Sequence, residues 1–267
     1  LAGSGLRIIA GAYKECLNEN EKEFGKELTF VGLFGMMDPP RKEVYAALEE
    51  CRAAGIRVIM ITGDHPATAQ NIGNQLGIAD NNSQVIVGSE MKEYDLLTEE
   101  EKVQWSNTSI FARVSPKQKL DLVKVLQEKG NIVGMTGDGV NDAPAIKKAD
   151  IGIAMGLRGT QVAQEAADMI LKDDSFGSIV TAIKQGRIIF ENIQKFVIFL
   201  LSCNLSELLV IAIASVFGLH FQLFALQILF INLITDVLPA LALGVIGGNA
   251  AIIHQKPKPI NTPIIDS

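Results

Sequence analysis

Cysteine and tryptophan are scarce in this chain: 267 residues include three Cys and one Trp. Cys16, Cys51 and Cys203 lie far apart and are odd in number, which excludes a disulfide framework and a cysteine-based metal pattern. Such usage suits a reducing cytosol for any soluble part. Basic charge is also short. Twenty-four Lys and Arg stand against 30 Asp and Glu, a net charge of -6, with no basic arm and no aromatic-interleaved basic patch. A nucleic-acid surface is therefore not expected. No basic-then-apolar leader opens the chain, as expected of an internal segment. The sharpest shortage is local. From Phe196 to Ile253, histidine apart, the only ionisable acids or bases are Glu207 and Asp236. Before Lys195 the chain is normally charged. A soluble part followed by a lipid-embedded part accounts for that division.

In the charged part, the segment MTGDGVNDAP (Met135 to Pro144) follows a short apolar run, Asn131-Ile132-Val133-Gly134, which reads as a buried strand. Ala145 to Ala149 then reads as a helix. Asp138, Asn141 and Asp142 thus stand at a strand-to-helix turn, where α/β sheets handle phosphate. Gly137 and Gly139 permit sharp backbone geometry there. Two carboxylates and an amide so close together suit a hard cation such as Mg²⁺ beside phosphate oxygens. Taken alone, the segment could be a solvated turn. A second instance of the same grammar argues against that: Ile59-Met60-Ile61-Thr62-Gly63-Asp64, a strand, then Thr-Gly-Asp, then a helix from about Pro66 to Leu76. Between the two lies a third strand, Ser109 to Val114, with Arg113 near its end. Lys117 and Lys119 open the helix that follows, behind Pro116 at a favoured early position.

The rest of the charged part continues the alternation. Leu6 to Ala12 and Leu28 to Met37 read as strands, the second leading to a hinge-like Asp38-Pro39-Pro40. Arg41 to Ala54 is an amphipathic helix with Val44, Leu48 and Cys51 on one face. Gln84 to Val87 and Asp150 to Met155 read as strands, and Thr98 caps a helix that begins Glu99-Glu100-Glu101. Thr160 to Ala167 and Met169 to Leu171 close the series. Strands alternating with helices imply an α/β fold with a doubly wound parallel sheet. Phosphate chemistry is then expected at the carboxyl ends of its strands.

From Ser175 one long helix is expected to leave the soluble domain and enter a bilayer. Phe196 to Leu219 and Phe221 to Ile246 are each long enough to span about 30 Å of hydrocarbon. The short Gly218-Leu219-His220 connection makes them a transmembrane hairpin. Lys184, Arg187 and Lys195 flank one end, and Lys256 and Lys258 the other, so both ends are expected on the cytoplasmic side. Within the spans the polar residues are patterned. Asn204 and Glu207 are three apart; Asn232, Thr235 and Asp236 are three and four apart. A carboxylate at the bilayer centre costs at least about 2.5–3.5 kcal/mol, so such residues usually line an ion path. All five offer oxygen, the ligand type for Ca²⁺, Mg²⁺ or alkali ions. Pro239 removes a backbone donor and can open the helix nearby.

The segments DPPRKEV, MITGDHPATA, FARVSPKQK and TGDGVNDAPAIKKADIGIAMG resemble the phosphorylation domain of P-type cation-transporting ATPases, within the haloacid-dehalogenase-like superfamily. The resemblance runs through essentially the whole chain. It implies an integral, multi-pass membrane protein with its soluble domain in the cytoplasm. It also implies five segments: 1-27 the tail of a nucleotide-binding domain, 28-178 the phosphorylation domain without its nucleophile strand, and 179-195 a helical stalk. The last two are 196-247, a pair of transmembrane helices, and 248-267, a cytoplasmic loop. In that family an Asp in a DKTGT motif accepts the γ-phosphate of ATP; no such motif occurs in these residues, and it is expected earlier in a longer chain. Asp138 matches the family's Mg²⁺ ligand, and Asn141 and Asp142 match residues that organise the phosphate site. Thr62, Gly63, Asp64, Arg113 and Lys119 match positions around the ATP phosphates and ribose, with Lys119 at the family's lysine. SCNLSE (Ser202 to Glu207) and INLITDVLPA (Ile231 to Ala240) resemble the fifth and sixth transmembrane helices of sarco/endoplasmic-reticulum-type Ca²⁺ pumps. That implies Ca²⁺ ligation by Asn204, Glu207, Asn232, Thr235 and Asp236. The implied partners are ATP, a transported divalent cation, the lipid bilayer and the rest of the same pump, namely its actuator and nucleotide-binding domains and further transmembrane helices. Three other readings remain open: a P-type pump for Na⁺, K⁺ or H⁺, a soluble phosphatase of the same superfamily, and a non-catalytic membrane fragment.

Overall fold

The computed structural model describes residues 6–15, 26–36, 39–80, 83–218, 224–259 and 262–264. The chain forms two compact units, Leu1–Glu49 with Arg57–Gly177, and Glu50–Ile56 with Ser178–Ser267.

The first unit opens with β1 (Arg7–Tyr13) and β2 (Thr29–Met36), paired antiparallel with a bulge between Gly11 and Ala12. A Cβ on Gly11 would lie 2.6 Å from the Phe34 ring, so glycine lets the strands close. Met37 and Asp38, part of the expected hinge, lie outside the described residues. Helix α1 (Lys42–Ala53) keeps the expected apolar face, with Ala47, Leu48 and Cys51 buried and Val44 half-buried.

The alternating series then follows: β3 (Met60–Thr62), α2 (Pro66–Gln75), β4 (Val85–Val87), α3 (Glu99–Asn107), β5 (Ile110–Ala112) and α4 (Pro116–Glu128). It continues with β6 (Gly134–Gly137), a 3₁₀ turn (Val140–Asp142), α5 (Ala143–Lys148), β7 (Ile151–Met155), α6 (Gln161–Ala166) and β8 (Met169–Leu171). The strands make two three-stranded parallel sheets, ordered β3-β5-β4 and β6-β7-β8. The helix starts are fixed by side chains. Thr98 and Ser115 close reciprocal capping boxes with Glu101 and Gln118, each satisfying a backbone N–H that would otherwise lack a partner.

Helix α4 stitches the sheets together. Leu122, Val125 and Leu126 enter one core cluster with Phe111 and Trp105, while Val123 enters the second with Met135 and Ile146. Ile61 and Val133 pack against both clusters. Each large side chain buried this way contributes about 1.5–3 kcal/mol.

One expected strand is displaced. The run 131–134 was expected to be a buried strand, yet the ladder begins only at Gly134, and Ile132 is 56% exposed. β6 is an edge strand of its sheet, so an apolar run there is not sandwiched. The Asp150 carboxylate also accepts the Val133 N–H at 2.8 Å, drawing that residue out of the ladder.

The second unit is built on α7 (Phe176–Val216), a single 41-residue helix about 60 Å long at helical rise. The opposite span comprises α8 (Ala225–Asn232), a π-helical segment (Leu233–Val237) and α9 (Leu238–Val245). Both helical runs are long and apolar enough to cross a membrane. Gly218 adopts φ +62 at the end of the first, whereas Leu219 and His220 of the expected connection lie outside the described residues. Near the other end, Arg187 donates to the carbonyls of Ile252, Ile253, Gln255 and Ala54, and Asn192 donates to Ile246.

Candidate functional site

Two sites emerge, one in each unit. In the first unit, the parallel register places Thr62 beside Ala112, and the Val114 N–H reaches the Thr62 carbonyl at 3.4 Å. The turns after β3 and β5 therefore lie side by side. The Thr62 hydroxyl donates to the Asp64 carboxylate at 3.0 Å and accepts the Asp64 N–H at 3.0 Å, fixing the Thr-Gly-Asp turn. Arg113 holds φ +53 with its side chain exposed. Lys119, in the first turn of α4, donates to Asp142 at 2.6 Å. This bond ties the helix after β5 to the turn after β6, so the carboxyl ends of the two sheets meet at one charge pair.

Asp142 is 7% exposed and also accepts the Gly139 N–H at 3.3 Å. The glycines act differently from the expectation. Gly139 has φ -99, and Gly137 is not among the positive-φ residues, so neither supplies a left-handed turn. Gly137 is needed for close approach: a Cβ there would lie 2.5 Å from the Asp142 Cβ. Asp138 and Asn141 are exposed beside this pair, and among the described residues nothing engages their side chains. The Asp138 carbonyl accepts the Thr160 N–H at 2.8 Å, joining the turn to the start of α6.

In the second unit, Glu207 lies on α7 and Asp236 on the π-helical segment, each half-buried. Cys203 is half-buried one turn before Glu207 on the same helix face. Thr235 donates to Ile231 O at 2.8 Å and lies 3.3 Å from Asp236 Oδ1. Asn232 is half-buried one turn before Asp236. Asn204 is exposed and donates to its own helix at Leu200 O, 3.0 Å away. Among the described residues no three His, Cys, Asp or Glu side chains form a preassembled metal cluster.

Residues 5–150 match the haloacid dehalogenase-like hydrolase family, more than half of the chain. The chain belongs to that family. Residues 221–267 of this haloacid dehalogenase-like protein match a second family, the cation transporting ATPase C-terminus. Its relatives include the calcium-transporting ATPase of Bacillus subtilis, 47% identical over 261 residues, which are 97% of this chain and 29% of that protein. Calcium-transporting ATPase 1 of Yarrowia lipolytica is 45% identical over 99% of this chain and 29% of its own length. The endoplasmic reticulum calcium ATPase srcA of Aspergillus fumigatus is 42% identical over 98% of this chain and 28% of its own length. The haloacid dehalogenase-like chain thus spans under a third of the curated relatives it matches.

Two features of this chain were not legible in its sequence. The first is Asp174, 8% exposed at φ +51, whose carboxylate accepts the N–H groups of Gly156, Leu157 and Arg158 at 2.7–3.0 Å. It pins the loop after β7 immediately ahead of α7. Nothing in the Asp173-Asp174 pair distinguishes it from a solvated turn. The second is Cys203, whose four-residue spacing from Glu207 was a signal that an isolated thiol in an apolar run concealed.

Proposed function

We propose that this chain is part of an ATP-driven cation pump of the P-type, carrying Ca²⁺ and working through an aspartyl-phosphate whose acceptor lies outside these residues. One observation carries the reading. Glu207 and Asp236 are the only Asp or Glu from Phe196 to Ile253, each half-buried on a helical run apolar enough to cross a membrane, and no Lys or Arg occurs in that stretch. Two such carboxylates call for a cation from outside the protein. The names of the relatives support Ca²⁺ as that cation.

In the proposed cycle ATP is the substrate of the first unit. Lys119 would balance charge on the transferring phosphoryl group, held in place by Asp142. Thr62, Gly63, Asp64 and Arg113 would line the approach of the phosphates and ribose. Asn141 and Asp138 project polar atoms that nothing in the described chain uses. That oxygen set fits Mg²⁺, which needs one or two carboxylates together with phosphate oxygens and water. When bound there, Mg²⁺ would supply positive charge to the phosphate oxygens. β3 and β6 are each at the end of their sheet order, and Ile61 packs against both cores, so a strand bearing the acceptor fits between them. In the second unit, Asn204, Glu207, Asn232, Thr235 and Asp236 would contribute oxygen to the ion. Their side chains supply about one Ca²⁺ shell of 6–8 oxygens, so other helices of the pump would complete a second. The basic ends of the hairpin favour a cytoplasmic soluble part.

The test is phosphorylation of the complete protein by ATP across a cation panel. Phosphoenzyme dependent on Ca²⁺ and lost in Asp236→Asn is the expected result. Dependence on Na⁺, K⁺ or H⁺ instead would reassign the ion, and a Ca²⁺ response unaltered in Asp236→Asn would remove Asp236 from the path.

A further inference from the structure

We infer that Thr160 and Gln164 are positioning residues for Asp138: the loop between β7 and α6 grips the backbone of the phosphate turn and fixes where the Asp138 carboxylate stands. The inference deepens the pump reading above and rests on it. The grip is on a single peptide unit. Its carbonyl, that of Asp138, accepts the Thr160 N–H at 2.8 Å, and its N–H, that of Gly139, donates to the Asp142 carboxylate at 3.3 Å. Asp142 is in turn held by Lys119. The Asp138 side chain is exposed, and among the described residues nothing engages it. Its carboxylate is therefore placed by its backbone. The charge pair of the site holds that backbone from one side, and Thr160 holds it from the other.

A loop can hold a turn only if it is itself held. Surface loops generally move more than the elements they join. Here Leu157 and Arg158 are exposed, yet the backbone around them is locked from two directions. Gly156, Leu157 and Arg158 donate their N–H groups to Asp174 at 2.7–3.0 Å. The Gln164 amide nitrogen stands 3.2, 3.0 and 3.2 Å from the carbonyl oxygens of Met155, Gly156 and Gly159. A Cβ on Gly159 would collide with the Met155 carbonyl, so glycine lets the loop close around that one nitrogen. The Gln164 N–H also donates to the Thr160 carbonyl at 3.0 Å, so Gln164 fixes Thr160 as well as the loop before it. Groups that hold a metal ligand from behind tune its affinity for the metal without touching the metal. Thr160 and Gln164 stand in that relation to Asp138.

The experiment uses the complete pump in membrane vesicles, with Mg²⁺ as the probe. Phosphoenzyme formed from inorganic phosphate is titrated against free Mg²⁺, and hydrogen exchange of the 136–142 backbone is followed without Mg²⁺. Thr160→Pro deletes the N–H that Asp138 accepts, at a backbone of φ -68 and ψ 153 that proline adopts unstrained. It is expected to raise the half-saturating Mg²⁺ concentration about three- to tenfold, the range for losing one backbone hydrogen bond, with the level at saturating Mg²⁺ kept. Thr160→Ala keeps that N–H and loses only the hydroxyl that caps α6, and is expected within about twofold of wild type. Gln164→Leu should follow Thr160→Pro. Gln164→Lys, whose ammonium has a donor for each of the three carbonyls, should return to wild type. Exchange in 136–142 is expected to quicken in Thr160→Pro and Gln164→Leu alone. Wild-type Mg²⁺ dependence in a folded Thr160→Pro protein overturns the inference, as does an equal shift in Thr160→Ala, which would assign the effect to the helix cap. If Thr160→Pro does not fold, the Gln164 pair decides by the same criteria. If wild type forms no phosphoenzyme, the pump reading fails, and exchange alone decides whether the loop holds Asp138.

Discussion

At the residue scale, Lys119 and Asp142 are the pair on which the proposed phosphate site turns. Their side chains are 19% and 10% exposed, so the bond is shielded from solvent but not fully dry. Lys119→Met is expected to leave Asp142 uncompensated, costing toward the low end of about 3–5 kcal/mol in stability. It should also lower ATP-dependent phosphorylation by at least about tenfold, since one charge-assisted contact in the transition state is lost. Chemical denaturation and single-turnover phosphorylation measure the two effects separately. Lys119→Arg is expected to keep Asp142 paired but to restore phosphorylation only in part, because a planar fork presents its donors differently from a compact ammonium. Asp174 supports a different expectation. Burial alone would raise its carboxyl, but the N–H groups of Leu157, Arg158 and Gly156 outweigh that and hold it below its ordinary value. A depressed folded pKa contributes stability that is complete above the unfolded value of about 3.9 and disappears as pH falls through the folded one. Wild type should therefore be more stable than Asp174→Asn at pH 6, and the difference should shrink below about pH 4. Urea midpoints at pH 6, 5, 4 and 3 test this; a gap constant with pH would show that the three donors do not favour the ionised form.

Among the elements, the ones with strong local signals were legible and those set by their neighbours were not. Pro66, Thr98 and Pro116 mark helix starts by their own chemistry, and α2, α3 and α4 begin there. β8 lies over the expected Met169 to Leu171. β3 and β5, by contrast, are three residues long because pairing, not apolarity, ends a strand. The same reason leaves Ile132 outside the ladder. In the second span the sequence showed that Pro239 could open the helix, but not where. The disturbance falls on Leu233–Val237, the turn before the proline, because its ring excludes the carbonyl of Thr235, four residues back. Pro239→Ala is expected to restore regular α-helix there. Removing the wider π turn rotates Thr235 and Asp236 relative to α9. The expected readout is a lower apparent cation affinity in the phosphorylation titration, with a more stable protein in thermal melts. Unchanged affinity would mean the π segment does not set the direction of Asp236.

For the whole molecule, the proposed pump raises the question of how a phosphate turn in one unit would act on carboxylates in the other. The continuous element available is α7, a single run from Phe176, just past the Asp174 clamp, to Val216, beyond Glu207. Its continuity was legible from the absence of proline or a turn cluster after Ser175. A helix transmits displacement along its axis only while its hydrogen bonds are intact, and proline in its interior costs about 3 kcal/mol and kinks it. Gln194→Pro, between the Arg187 carbonyl contacts and Cys203, is therefore expected to separate the two functions of the complete pump. Phosphorylation by inorganic phosphate, which in the proposed cycle would run on the first unit and its acceptor, should persist within about twofold. Cation-dependent phosphorylation by ATP and vesicle uptake should fall by at least about tenfold, the loss that follows when 1.4 kcal/mol of coupling is removed. Gln194→Ala, which breaks the contacts to Ile264 O and Lys258 but leaves the helix whole, controls for local side-chain loss. If Gln194→Pro left transport intact, α7 would be a tether, and the coupling would have to run through parts of the pump beyond this chain.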